Sequence, residues 1–98
     1  MKDFSNVELE YNQFKLEMLS RTPREIYDNC NIIRFYENLY EYCIYNEEIS
    51  EEFAEIIEKK THIIYDLYQF YLKSENLSID SWGEIDELIG IYLCRERL

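Results

Sequence analysis

The chain has 98 residues, enough for one ordinary domain but not for a second catalytic lobe, and a chain of this length buries about two-thirds of its unfolded surface. Hydrophobic types make up 47% of it and aromatics 16%, which excludes a disordered acidic segment, while two glycines and one proline supply too few turns for a β-sandwich. With 21 acidic against 10 basic residues the formal charge is −11, a field that repels nucleic acid and anionic membrane and draws the protein toward basic surfaces.

The first periodic stretch places Phe4, Val7, Tyr11, Phe14 and Met18 at steps of three and four, a single helical stripe that predicts a helix over about residues 3–20. Leu9 and Leu19 widen its apolar side, and Glu8, Glu10, Lys15 and Glu17 take the other faces. Thr22-Pro23-Arg24-Glu25 then reads as a helix start, with Thr22 at N-cap, Pro23 at N1 and Glu25 closing a capping box. The second helix is expected over about 23–46. Ile26, Cys30, Ile33, Tyr36, Tyr40 and Cys43 lie on one side, widened by Ile32, Phe35, Leu39 and Tyr42, and so broad a surface implies several neighbours or an external partner.

Ser50, followed by Glu51 and Glu52, opens a third helix over about 51–73, because first-turn amides favour negative charge. Phe53, Ile56, Ile57, Ile63, Ile64, Leu67, Phe70 and Tyr71 form its inner side, with Glu51, Glu55, Glu58, Lys59 and His62 outward. Residues 74–80 form a linker tacked down by Leu77 and Ile79. Ser81 and Glu84 make a second capping box for a helix over about 82–96, carrying Ile85, Leu88, Ile89, Tyr92 and Leu93 inward and Arg95 and Arg97 in its last turn. The expected fold is all-α, a compact bundle or irregular orthogonal packing of about four helices in a single domain spanning 1–98.

The chemistry-bearing residues are sparse. The single histidine, His62, has Asp66 four residues on but no serine or cysteine nucleophile tied to it by motif. Carboxylates at helical spacing occur, yet one histidine cannot supply a Glu-x-x-His diiron pattern, no calcium loop appears, and Gly83 and Gly90 are too isolated for a phosphate loop. No catalytic residue, metal or cofactor is expected. Cys30, Cys43 and Cys94, odd in number and widely spaced, read as buried thiols rather than a disulfide or zinc framework. Acids stand early in MKDFSNVELEY where a signal sequence would be apolar, so the expected location is the cytoplasm.

Two features remain for function. Glu47, Glu48, Glu51, Glu52, Glu55 and Glu58 place six acids in twelve residues with no base among them. At helical spacing, neighbouring carboxylates stand about 6 Å apart, close to the phosphate spacing of a nucleic-acid strand, although a solvated face with favourable first-turn acids explains the same pattern. The second is tyrosine, present ten times. A core this small cannot easily partner ten hydroxyls, so several rings should reach the surface; Tyr42, Tyr45 and Tyr65 are expected there, and Tyr36, Tyr40, Tyr68 and Tyr71 along the core. The expected partner-binding residues are Glu48, Glu51, Glu52, Glu55 and Glu58 with Tyr42 and Tyr45.

The stretches Thr22-Pro23-Arg24-Glu25-Ile26, Tyr36-Glu37-Asn38-Leu39-Tyr40 and Ile64-Tyr65-Asp66-Leu67-Tyr68-Gln69-Phe70-Tyr71-Leu72 resemble a family of small helical proteins from clostridia and their mobile elements, over roughly residues 20–93. In size and charge the chain also resembles phage-encoded inhibitors of CRISPR nucleases. What these resemblances imply is a non-enzymatic inhibitor that acts as a nucleic-acid mimic on a basic, nucleic-acid-binding protein of a bacterial host, such as a CRISPR effector. Nucleic acid and membrane are not expected as direct partners. The competing expectation is a structural or regulatory module that forms a homodimer, or joins a phage or host assembly, through the apolar face of the second helix.

Overall fold

The computed structural model describes residues 4–74 and 77–96, which form six α-helices with no strand among them. These are α1 (Ser5–Leu19), α2 (Pro23–Asp28), α3 (Cys30–Tyr45), α4 (Glu51–Lys59), α5 (Ile63–Lys73) and α6 (Trp82–Glu96). The start signals act as the sequence implies. The Thr22 hydroxyl accepts the Glu25 amide at 3.3 Å and the Glu25 carboxylate accepts the Thr22 amide at 3.3 Å, a reciprocal pair behind Pro23. Ser50 accepts the Phe53 amide at 3.2 Å, and Ser81 accepts the Glu84 amide at 3.3 Å.

Two predicted helices are divided. The first division is slight: Asn29 sits at φ −103°, ψ 16°, and its side-chain amide donates to the Glu25 carbonyl at 2.7 Å, competing with the helix ladder and separating α2 from α3. The second is a full break. Lys60 is extended at φ −100°, ψ 132° and His62 stands at φ −130°, ψ 48°, so the carbonyl end of α4 and the amide end of α5 both need partners.

Those partners come from α1. The Asn6 side chain donates to the carbonyls of Ile57 at 3.3 Å and Glu58 at 2.9 Å, closing α4. One turn further along α1, the two oxygens of Glu10 accept the amides of Ile64 at 2.8 Å and Tyr65 at 2.9 Å. These are the second and third residues of α5, the amides an N-cap side chain ordinarily takes, and His62 at the N-cap position makes no such bond. Glu10 is therefore only 5% exposed, where the sequence pattern expects an outward carboxylate. Burial raises its pKa, and the two amides and the charge of His62 oppose that rise without cancelling it.

The hydrophobic core lies among α1, α3, α4, α5 and α6. Phe35, Leu39, Phe53, Ile57, Ile63, Ile64, Leu67, Ile85 and Leu88 are almost fully removed from water, each contributing about 1.5–3 kcal/mol of burial. Stacked rings form the α1–α3 seam: Tyr11 lies on Tyr40 at 4.2 Å between centroids and Phe14 on Tyr36 at 3.9 Å. Residue numbers rise on α1 as they fall on α3, so the two helices run antiparallel. The broad apolar surface of α3 is used internally, against α1, α5 and α6. A Cα radius of gyration of 13.5 Å agrees with the value of about 13 Å for a compact chain of this length.

Several side chains depart from the expected pattern. Leu9 and Leu19 are exposed because α1 needs only its Val7–Phe14 side for the core. Cys43 is buried, and burial pushes its thiol up to about 12, but Cys30 and Cys94 are exposed. Each of these two stands near an end of its helix, beyond the core-facing stripe. Of the expected 74–80 linker, residues 75 and 76 lie outside the described chain, as do Asp3 at the start of the first predicted helix and Arg97 in the last turn. The remainder is tacked to the core through buried Ile79, whose carbonyl accepts the Asn38 side chain at 3.2 Å, and through an ion pair between Arg34 and Asp80.

Removing the Glu10 carboxylate strands two helix-end amides, so Glu10→Ala should cost about 2–3 kcal/mol in denaturant unfolding. The sign of the pH effect follows from the raised pKa. The folded chain holds this proton more strongly than the unfolded chain, so the contribution of Glu10 is most favourable below its ordinary value of 4.5 and declines as pH rises through the folded value. The stability gap between the native chain and Glu10→Gln should therefore be wider at about pH 4 than at about pH 7.5. A gap that widens with pH contradicts this.

Candidate functional site

The acidic run belongs to α4 and the turn before it. Asn46 accepts the Glu48 amide through its side-chain oxygen at 2.9 Å, which fixes the turn, and buried Ile49 anchors it. Phe53, Ala54 and Ile57 then bury one side of α4, so the helical period sends Glu51, Glu52, Glu55 and Glu58 to solvent. All five expected glutamates, with Glu47 beside them, are exposed. The end of α4 is held by Asn6, so this row has a fixed orientation relative to α1.

The two tyrosines separate. Tyr45 is 66% exposed and can supply contact area, as expected. Tyr42 is 3% exposed, which removes it from the candidate contact residues. Its ring meets Phe53 at 6.4 Å and Trp82 at 6.2 Å, both edge-on, and its hydroxyl donates to Asp86. Burial first, then this bond and the Asp86 charge, push the Tyr42 hydroxyl well above its ordinary range. Tyr42 thus joins the last turns of α3 to the first turns of α4 and α6. Trp82, in edge-on contact with Tyr42, is a second aromatic residue that reaches water, at 44% exposed. Sequence reasoning missed it; the available signal was its place at the first helical position after Ser81, where a side chain sits at the rim of the core.

The other tyrosines follow the pattern more closely. Tyr65 is exposed, Tyr36 is buried, and Tyr40, Tyr68 and Tyr71 are half-buried along the core. His62 is exposed beside a cavity of about 300 Å³ that also touches Glu10, Gln13, Glu17, Tyr36 and Tyr65. Both oxygens of Glu10 are already committed to α5, and Asp66 makes its ion pair with Lys60 at 3.7 Å. Among the described residues, no three histidine, cysteine, aspartate or glutamate side chains gather closely enough to hold a metal ion. Three bases gather at one shallow cavity, where Lys60, Lys73 and Arg95 line the wall together with Asp66.

No helix among the described residues is long and apolar enough to cross a membrane. Compared with known proteins, the chain matches no family model, no curated protein and no solved structure.

The different settings of the two tyrosines give a direct check. Tyr42→Ala should destabilise the fold by about 3–5 kcal/mol, as other large aromatic-to-alanine core changes do. Tyr45→Ala should stay within about 0.5 kcal/mol of the native chain. Equal losses in denaturant unfolding would overturn the assignment of one ring to the core and the other to the surface.

Proposed function

We propose that this chain is a non-catalytic acidic inhibitor that acts in the cytoplasm of a bacterial host by binding a basic, nucleic-acid-handling protein. The α4 carboxylates occupy the partner's DNA or RNA channel as a nucleic-acid mimic. A CRISPR effector is the kind of partner to which the resemblance in size and charge points. The observation that carries this reading is the outward row of Glu51, Glu52, Glu55 and Glu58, set on a helix whose opposite side is buried and whose end is tied to α1, with Glu48 exposed in the turn before it. A pre-set row of charges loses little conformational freedom on binding, which favours recognition of a complementary cationic surface. Tyr45 and Trp82 supply exposed aromatic area near the ends of α3 and α6. First-turn acids also suit the amide end of α4, a role that accounts for Glu51 and Glu52 but not for Glu48, Glu55 and Glu58.

The second reading is a structural or regulatory module that self-associates or joins a phage or host assembly. The apolar side chains on the outer side of α1, Leu9 and Leu16, seven residues apart, favour it.

The first reading predicts that tagged protein retains a basic nucleic-acid enzyme from a bacterial lysate containing a CRISPR effector, and that nucleic acid competes with it. Binding should weaken at least about tenfold between about 0.1 and 0.5 M salt, and the triple variant Glu48→Lys, Glu51→Lys, Glu55→Lys should weaken it by a similar factor or more. A salt-insensitive homodimer as the only species recovered would select the second reading.

A further inference from the structure

An open surface with an apolar lining lies away from α4. Tyr11, Phe14, Met18 and Leu19 of α1 face Ile26 of α2 and Ile33 of α3 across a groove of about 240 Å³, with Lys15 and Glu37 at its edges. The groove is open although its lining is almost wholly apolar. Leu19 is 78% exposed, and Ile26, Ile33 and Met18 are only half-buried. Exposed apolar surface gathered in one concavity, rather than scattered singly, marks an interaction site.

Its shape restricts what fits. The α1 positions 11, 14, 15, 18 and 19 form one helical stripe over nine residues, so this wall is about 12 Å long. That length matches two turns of a partner helix presenting apolar anchors at i, i+3 or i+4, and i+7. The opposite wall is also set in advance, because α2 is pinned at its start by Pro23 and the Thr22–Glu25 capping box, and α2 packs on α3.

Charge decides between occupants. Glu37 edges the groove, Glu37 and Glu41 lie near the Tyr11 phenol, and Glu8 lies near the Tyr40 ring stacked beneath Tyr11. Against these stands Lys15, folded over the Tyr11 ring at 4.8 Å, while Arg21 is tied to Glu25 at 3.4 Å. The α1–α3 rim is therefore net acidic, on a chain whose formal charge is −11. A second copy would bring the same charge to this rim, which opposes self-association; lysine or arginine flanks would be drawn to it.

We propose that the groove between α1 and α2–α3 docks an amphipathic helix of a basic partner, with its apolar side chains on Met18, Leu19, Ile26 and Ile33 and its cations toward Glu8, Glu37 and Glu41. This surface is separate from the α4 face and does not depend on that face being used.

The test uses a synthetic peptide of about 18 residues with a leucine stripe flanked by lysines, and a second with the same stripe flanked by glutamates, titrated into the full chain and followed by NMR and by fluorescence anisotropy. The lysine peptide should shift the signals of Tyr11, Met18, Ile26 and Ile33 and bind at least about tenfold more tightly than the glutamate peptide. Leu19→Glu is the deciding variant. Leu19 is so exposed that the fold tolerates the change, which adds a negative charge while spoiling the groove. Docking predicts a loss of about tenfold or more, larger than the loss caused by the triple α4 charge swap, whereas attraction by charge alone predicts unchanged or tighter binding to Leu19→Glu. Shifts confined to α4, equal binding of the two peptides, undiminished binding to Leu19→Glu, or a dimer of this chain occupying the groove would each overturn the proposal. Equal binding of the two peptides or undiminished binding to Leu19→Glu would leave the α4 reading standing, and shifts confined to α4 would favour that reading while removing this one, so the two fail separately.

Discussion

The α4–α5 break exists in this form because a carboxylate from another helix completes it. Glu10, buried in α1, receives the two amides that begin α5, and Asn6, one turn earlier, receives the end of α4 by donating to its carbonyls. An acid at an amide end and an amide donor at a carbonyl end each match the local dipole. Burying a carboxylate is costly unless its oxygens are satisfied, and here both are. The result is that one turn of α1 fixes the relative placement of three helices through polar contacts, while the surrounding apolar packing supplies most of the stability.

That arrangement sets where the remaining groups face. With α4 separated from α5 by the break at 60–62, its Phe53–Ile57 side packs inward and its glutamates form an outer row. Committing the 7–14 side of α1 to this junction and to the stacked seam with α3 leaves the 15–19 side only partly covered by α2 and α3. The acidic row and the apolar groove are thus two products of one constraint. Both are the surfaces on which the proposals rest, while Glu10, Asp66 and the Tyr42–Asp86 pair make contacts between elements of the fold.

Local signals were legible in the sequence and tertiary ones were not. The capping box at Thr22 and the side-chain caps at Ser50 and Ser81 use neighbours within three residues, so their meaning is complete in the chain itself. The core stripes were equally plain, as was the outward setting of Glu48, Glu51, Glu52, Glu55 and Glu58. The break at 60–62 was hidden because Ile56 and Ile57 stand seven residues before Ile63 and Ile64, so the helical phase continues across it, and neither glycine nor proline marks it. Glu10 looked like any surface acid, since its partners lie more than fifty positions away. Tyr42 was misplaced for the same reason: a hydroxyl suggests the surface until a residue such as Asp86, distant in sequence, is found to accept from it.

Native-state hydrogen exchange at the amides of Ile64 and Tyr65 tests the central claim most directly. First-turn amides of a helix ordinarily have no internal partner and exchange readily, whereas amides held by a buried carboxylate exchange only when the junction opens. The account predicts protection at both amides approaching that of the buried Leu39 and Leu67 amides, and its loss at both in Glu10→Ala while the α3 core remains protected. Rapid exchange of Ile64 and Tyr65 in the native chain would contradict it.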